Sequence, residues 1–430
     1  MQNNLTALKT KYISGDLPAS PEHVPKKRLL HVITDMNPEQ GGVCHAVRTM
    51  IGGLMELGIE NEVVCVDDID APYLKNEPFI VNNLGLSKGA WFYHPRYIPW
   101  LSENMHRFDV VIVHGLWLYP GYASRKAIKI VKARALQDAA GKTKIPKVFL
   151  MPHGMLDPYF QKASGRKIKA IRNWLYWKLI EGKMVNGANG ILFTSDAEQQ
   201  LARQSFRPYH PLSESVVGLG AEEPPVFTAS MRKAFLEKCP AVANQPYLLF
   251  LSRIHEKKGV DLLIDGYKTA VLTAARSGKQ LPKLVIAGPG LDTAYGQEIQ
   301  NRVNACPEIK EAVFFPGMLK GDAKWGGFYD CEAFILPSHQ ENFGYAVVEA
   351  LACSKPVLIS DQVNIWQAIQ AAGAGLVKND TGEGTLALLN DWQNLSGEQK
   401  NAMGIMAGEC FRKQFAAGPA ARKMLEAVSA

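Results

Sequence analysis

Short apolar runs alternate with amphipathic stretches along most of the chain. Runs of strand length lie at 28–34, 62–66, 109–115, 147–151, 190–195 and 214–220, and again at 247–252, 283–288, 313–315, 334–336, 357–360 and 375–378. Asp109-Val-Val-Ile-Val-His-Gly115 is continuously apolar in its middle, as parallel strands covered on both faces are. Between the runs the spacing turns helical, as over Val43–Leu57 and Phe343–Cys353, where Val347, Val348, Leu351 and Ala352 share one face. This alternation predicts an α/β chain whose parallel sheets are built from βαβ crossovers.

The pattern breaks at Ala221-Glu-Glu-Pro-Pro225, which opens a polar segment with a short helix near 230–238. We therefore expect a polar leader over 1–27, where Pro18, Pro21 and Pro25 oppose a long helix. A first domain is expected over 28–225, a second over 226–415, and a terminal helix within 416–430.

Composition narrows the field. The chain has 430 residues, 47% hydrophobic and 21% charged, ordinary for a globular protein of two or three domains. Its seven cysteines are scattered and form no CxxC pair, so neither a zinc site nor a disulfide framework is indicated and a reducing compartment is expected. Residues 1–25 lack the pattern of a signal peptide, and no apolar run reaches membrane-span length. A net charge of +7 permits contact with an anionic surface, but no nucleic-acid-binding motif accompanies it.

The densest chemistry lies in 334–359, read as strand, polar loop, helix and strand. Glu341 stands at the expected helix entrance and Glu349 two turns inside, roughly 12 Å along a helix axis. A helix N-terminus offers free N–H groups and a positive dipole end, which suit a diphosphate or sugar hydroxyls. The plainer reading is an acid favouring a helix start and another facing solvent.

Other candidates follow strands. Gly41-Gly42 lets a backbone approach a ligand, or simply turns the chain. Asp68-Ile-Asp70 is formally a DxD, though acids after a strand are common loop residues. His114 and Trp117 end one strand, where open α/β sheets bind ligands, and His153 follows another beside Gly154. Arg253 and Lys258, five apart before a helix, can clamp a diphosphate, the first by forked hydrogen bonds and the second as a point charge. Gly288-Pro289-Gly290 and Pro316-Gly317-Met318 are backbone-rich turns. Lys162, Arg166, Lys167, Lys169, Arg172, Lys178 and Lys183 are interleaved with Trp174, Tyr176 and Trp177, fitting an anionic lipid surface or a solvated helix with buried aromatics.

Glu341-Asn-Phe-Gly344, then Glu349-Ala-Leu-Ala-Cys-Ser-Lys-Pro-Val357, resembles the paired-glutamate motif of retaining GT-B glycosyltransferases of family four. Arg253-x4-Lys258-Gly259 and Pro152-His153-Gly154 are similar to that family's motifs, and Gly41-Gly42 match its first loop; Gly218-Leu-Gly220 departs from the Asn-Gly of many relatives. The resemblance covers most of 28–425. It implies two doubly wound Rossmann-like domains facing across a cleft, with the last helix crossing back onto the first domain. It further implies that Glu341 and the backbone of Asn342, Phe343 and Gly344 hold the donor sugar and Glu349 the ribose. His153 then lies near the reacting centre, Arg253 and Lys258 on the diphosphate, and Gly41, Gly42, Gly288, Gly317 and Met318 about the donor. His114 and Trp117 fall on the acceptor side. Cationic side chains would neutralise the diphosphate, so no metal or other cofactor is expected.

The implied activity is transfer of a sugar, with retention, from a UDP- or GDP-linked donor to a hydroxyl acceptor. Gly-Met-Leu-Asp-Pro158 and the basic stretch after it resemble transferases of bacterial surface polysaccharides, which suggests a lipid-linked or growing saccharide acceptor and a cytoplasmic enzyme, peripheral on the inner face of the plasma membrane. Three alternatives share the donor motifs: a soluble-acceptor transferase of the sucrose-phosphate kind, a GT-B epimerase, and a silent nucleotide-sugar sensor.

Overall fold

The computed structural model describes residues 27–162, 167–276 and 278–430. The leader, apart from Lys27, and the side chains of Lys162, Arg166, Lys167 and Lys169 lie outside the described residues.

The strand–helix alternation folds into two parallel sheets. The first holds β1 (Arg28–Val32), β2 (Glu60–Cys65), β3 (Ile80–Asn83), β4 (Val110–His114), β5 (Lys147–Met151), β6 (Gly190–Phe193) and β7 (Glu214–Val216), in the order β3-β2-β1-β4-β5-β6-β7. The second holds β8 (Tyr247–Leu251), β9 (Lys283–Ala287), β10 (Val313–Gly317), β11 (Ala333–Leu336), β12 (Val357–Ser360) and β13 (Gly375–Lys378), in the order β10-β9-β8-β11-β12-β13. Both are doubly wound and Rossmann-like, as expected. Their direction of winding reverses between β1 and β4 and between β8 and β11, where ligand crevices form at the strands' carboxyl ends.

The apolar runs become the sheet interiors: β4, β11 and β12 are buried along their whole lengths. The pattern missed β3. It is a four-residue edge strand, Ile-Val-Asn-Asn, with no buried position, so neither an apolar run nor a clean alternation marks it.

The chain crosses between the sheets twice, and the crossings touch. The Ala221 N–H donates to the Phe415 carbonyl at 2.8 Å, and the Ala417 N–H donates to the Ala221 carbonyl at 3.1 Å. Beyond this bridge the last helix, Ala417–Ser429, lies on the first, Gly42–Glu56. A Cβ at Gly53 would stand 2.9 Å from the Ala421 Cβ, so that position admits only glycine at this spacing. Ala421, Met424 and Val428 are buried in one apolar cluster with Ala46, Met50 and Leu54.

Candidate active site

The loop after β11 differs from expectation. The Glu341 N–H donates to the Gln362 carbonyl at 2.9 Å and its own carbonyl accepts from the Asn364 N–H at 2.9 Å, which straps Glu341 alongside Val363 in extended form. Gly344 then takes a left-handed conformation (φ 73°, ψ 65°), and the helix runs Tyr345–Ala352. It therefore begins two residues after Phe343, and Glu349 is its fifth residue, one turn in. The eight-residue interval is not continuous helix, so the 12 Å estimate does not apply. No side chain caps this helix's N-terminus.

Both acids meet lysines. Glu341 forms an ion pair with Lys258, whose side chain is only 9% exposed. Glu349 accepts from Lys324 at 2.8 Å, and that ammonium also lies 4.3 Å from the centre of the Trp325 ring. Arg253 is exposed, whereas Lys257 is half-buried on the cavity wall. Burial, with Lys258 beside it, lowers the Lys257 ammonium to about 8.

A cavity of about 220 Å³ lies between the sheets, lined by Gly42, Val43, His153, Gly154 and Leu219 from the first half and by Lys257 and Gln340–Tyr345 from the second. Three contacts draw its walls together. The Gln340 amide donates to Asp157 Oδ2 at 2.9 Å, the Asn342 amide donates to Thr194 Oγ1 at 3.0 Å, and the His45 and Tyr345 rings meet edge-on at 4.8 Å. The buried Tyr345 hydroxyl has no hydrogen-bond partner among the described residues.

His153 sits in strained backbone, with φ of 53°, a region that histidine seldom adopts. Buried Glu198 fixes this loop by accepting from the Gly154 N–H at 2.5 Å and the Thr194 N–H at 2.7 Å. Gly154 has φ of 83°, and a Cβ there would stand 2.7 Å from the Asn342 Cγ. The loop and the opposite wall are shaped to each other.

The cavity thus unites His153, Gly42, Glu341, Asn342, Phe343 and Gly344. The two acceptor-side candidates are placed elsewhere. His114 is 4% exposed and hydrogen-bonded to a histidine on each side, because its strand lies inside the sheet. Trp117 packs on Tyr176, Trp177 and Phe206, and its indole N–H donates to the Met155 carbonyl at 3.3 Å. Gly41 is the N-cap residue just before the first helix and does not line the cavity. Gly288 donates to the Gly317 carbonyl at 2.9 Å beside the 253–258 loop, and a Cβ at Gly288 would lie 1.9 Å from the Ser252 carbonyl oxygen. Met318 is 55% exposed.

Sequence reasoning passed over Lys257, Lys324, Gln340, Tyr345, His31 and Asn61. Lys257 was discernible beside Lys258; nothing near Lys324 in sequence marks it as the partner of Glu349. Asp68, in the DxD, accepts from the Asp70 N–H at 3.0 Å, as a turn residue does. Among the described residues no group of three or more His, Cys, Asp or Glu side chains is placed to hold a metal ion, and no helix is long and apolar enough to cross a membrane.

Two Rossmann-like domains meeting across a cleft with cationic loops at strand ends are the GT-B arrangement. A family model described as glycosyl transferases group 1 matches residues 231–403, and one described as glycosyl transferase 4-like domain matches residues 41–213. The chain belongs to the group 1 glycosyltransferases of GT-B fold. It is 26% identical over 212 residues to a D-inositol 3-phosphate glycosyltransferase of Kineococcus radiotolerans, covering 49% of this chain and 48% of that one. A mannosylfructose-phosphate synthase of Agrobacterium fabrum is 27% identical over 28% of this chain and 27% of its own. The chain thus spans about half or less of the length of these curated relatives. Among solved structures, a glycosyltransferase of Rickettsia africae superposes with a TM-score of 0.70 at 15% identity, over 94% of this chain and 98% of that one. Anabaena HepE in complex with UDP and glucose gives 0.65 at 15% identity, over 94% and 99%.

Proposed function

We propose that this protein transfers a sugar from a nucleoside diphosphate sugar, UDP- or GDP-linked, to a hydroxyl acceptor with retention of configuration. The observation that carries the reading is a convergence: Lys257, the uncapped N-terminus of the 345–352 helix and the Glu341–Lys258 pair face His153 of the other domain across one cavity.

The cavity is smaller than the roughly 300–1,000 Å³ of a typical small-molecule site. It would take the sugar, with the diphosphate against Lys257, Lys258 and Arg253 and the base toward Gly288, Gly317 and Met318. Asn342, Phe343 and Gly344 would present backbone to the sugar, and Glu349 would accept from the ribose. As the glycosidic bond breaks, charge grows on the leaving phosphate. Fixed cations and helix N–H groups stabilise that charge without reorganising. The diphosphate would draw Lys258 from Glu341, freeing that carboxylate for sugar hydroxyls. The departing phosphate would take the acceptor's proton, with no metal or other cofactor required. HepE, solved with UDP-glucose, lends support to this choice of donor.

For the acceptor we propose a lipid-linked or growing saccharide, reached from the cytoplasmic face of the membrane. Ile171, Trp174, Leu175 and Leu179 are exposed along one helical segment beside Arg172, Lys178 and Lys183, which suits peripheral contact with an anionic bilayer. Co-sedimentation with anionic but not zwitterionic vesicles tests this. A soluble sugar-phosphate acceptor is the second reading, favoured by the mannosylfructose-phosphate synthase relative.

Thermal-shift titration with nucleotide sugars, followed by product analysis, tests the donor. A stabilising donor whose sugar reaches an acceptor with retained configuration is expected; no stabilisation and no transfer by any donor would remove the proposal.

A further inference from the structure

From His153, in the loop after β5, a line of hydrogen bonds runs through the first sheet across β4, β1 and β2. His153 Nε2 lies 3.0 Å from His114 Nδ1, His114 Nε2 lies 3.0 Å from His31 Nδ1, and His31 Nε2 lies 3.0 Å from Asn61 Oδ1. Neighbouring rings are stacked with centroids 5.3 Å apart. Two buried histidines on adjacent strands, leading to a third in the loop after the next strand, are more than packing requires.

The far end sets the polarity of the line. The Asn61 amide nitrogen donates to the Ile59 carbonyl at 3.0 Å, which turns its oxygen toward His31. That oxygen only accepts, so His31 carries its proton on Nε2. A neutral His31 then accepts at Nδ1, which requires His114 to be protonated on Nε2. The same step repeated makes His153 the donor to His114 through Nε2. Burial lowers the pKa of all three, to about 4 for His31 and His153, so the neutral rings this logic needs are the stable ones near neutrality. Asn61 neither gains nor loses a proton, so the line is not a proton wire; it fixes a direction.

We propose that Asn61, His31 and His114 are positioning residues that lock His153 in its Nε2-protonated tautomer, so that Nδ1 meets the bound sugar as a hydrogen-bond acceptor. Nδ1 has no hydrogen-bond partner among the described residues, and His153 lines the cavity. At this point the site selects a hydroxyl, which donates, and rejects a carboxylate, whose charge would face a lone pair. The substrate class is therefore a neutral hydroxylated sugar rather than a uronate. This rests on the nucleotide-sugar reading above.

Nitrogen-15 NMR of the histidine-labelled full chain at neutral pH tests the lock directly. The expected spectrum shows His153 protonated on Nε2 and bare on Nδ1; a proton on Nδ1, or an imidazolium, overturns the proposal. In Asn61→Leu the anchor is lost, and we expect mixed tautomers at His153 with kcat/KM reduced about tenfold, the loss of roughly one hydrogen bond. An equal loss of activity with the tautomer unchanged would mean a merely structural role and overturn it. Should that variant fail to fold, the wild-type spectrum still decides. A hexuronate donor is expected to turn over at least about tenfold more slowly than the matching hexose on the same nucleotide; equal turnover overturns the selectivity. If the tautomer is as stated but no nucleotide sugar shifts the Nδ1 resonance, the donor reading fails and the lock stands.

Discussion

Lys258 and Glu341, from the loops after β8 and β11, are joined in an ion pair at the edge of the cavity. Two residues singled out for separate tasks therefore hold each other in this structure. Their neighbours Lys257, on the cavity wall, and exposed Arg253 add positive charge beside that pair.

That pairing predicts an asymmetry. Lys258→Ala should lower stability by about 2–4 kcal/mol, because it leaves a partly buried carboxylate without its partner. Adding Glu341→Gln should restore part of that loss. Arg253→Ala, at an exposed position, should leave stability within about 0.5 kcal/mol and weaken donor binding roughly tenfold or more. Urea unfolding beside calorimetric donor titration separates the two effects.

Lys257 sets the alkaline limit. Its ammonium is lowered to about 8, so the cation that would face the diphosphate is lost as pH rises through 8. Donor affinity should fall between pH 7 and 9.5. Lys257→Arg should flatten this profile, because a guanidinium keeps its charge throughout. The same shift acts oppositely on folding. Between pH 8 and 10.5 the unfolded chain binds more protons at this residue than the folded one, so its contribution to stability rises with pH. A donor profile that follows pH identically in wild type and Lys257→Arg would show that Lys257 is not the titrating group.

On the acid side, His31 and His153 both fall from 6.5 to about 4 through burial. Between pH 6.5 and 4 the unfolded chain takes up protons that the folded chain refuses, so stability falls as pH drops through this window. Denaturant unfolding should show a loss on the order of 2–3 kcal/mol for each of the two, about 5 kcal/mol together, between pH 7 and 4.5. His31→Gln should make the dependence shallower.

Gly154→Ala tests the fit between the two walls. Its φ of 83° disfavours any side chain, and the added Cβ would meet Asn342 at 2.7 Å. Separation of the Asn342–Thr194 contact and a fall in transfer rate of roughly tenfold are expected, with stability lowered by about 1–2 kcal/mol. Hydrogen exchange at 340–345 would rise in the same variant.

The apolar runs and their alternation with helical spacing determined two parallel α/β sheets, because strands covered on both faces need continuous apolar side chains. The motif around 341–349, the 253–258 loop and the Pro-His-Gly turn were legible for the same local reason: each depends on residue types close in sequence. What joins distant segments was not. The 345–352 helix starts where Gly344 turns left-handed and the 362–364 strand-side loop grips Glu341, and only tertiary pairing decides that. Lys324 meets Glu349, and Asn61 reaches His153 through two intervening histidines, only because parallel strands bring residues of different segments level with one another. The edge strand β3 stayed hidden because a half-exposed strand carries little apolar signal, and its place is set by β2 beside it.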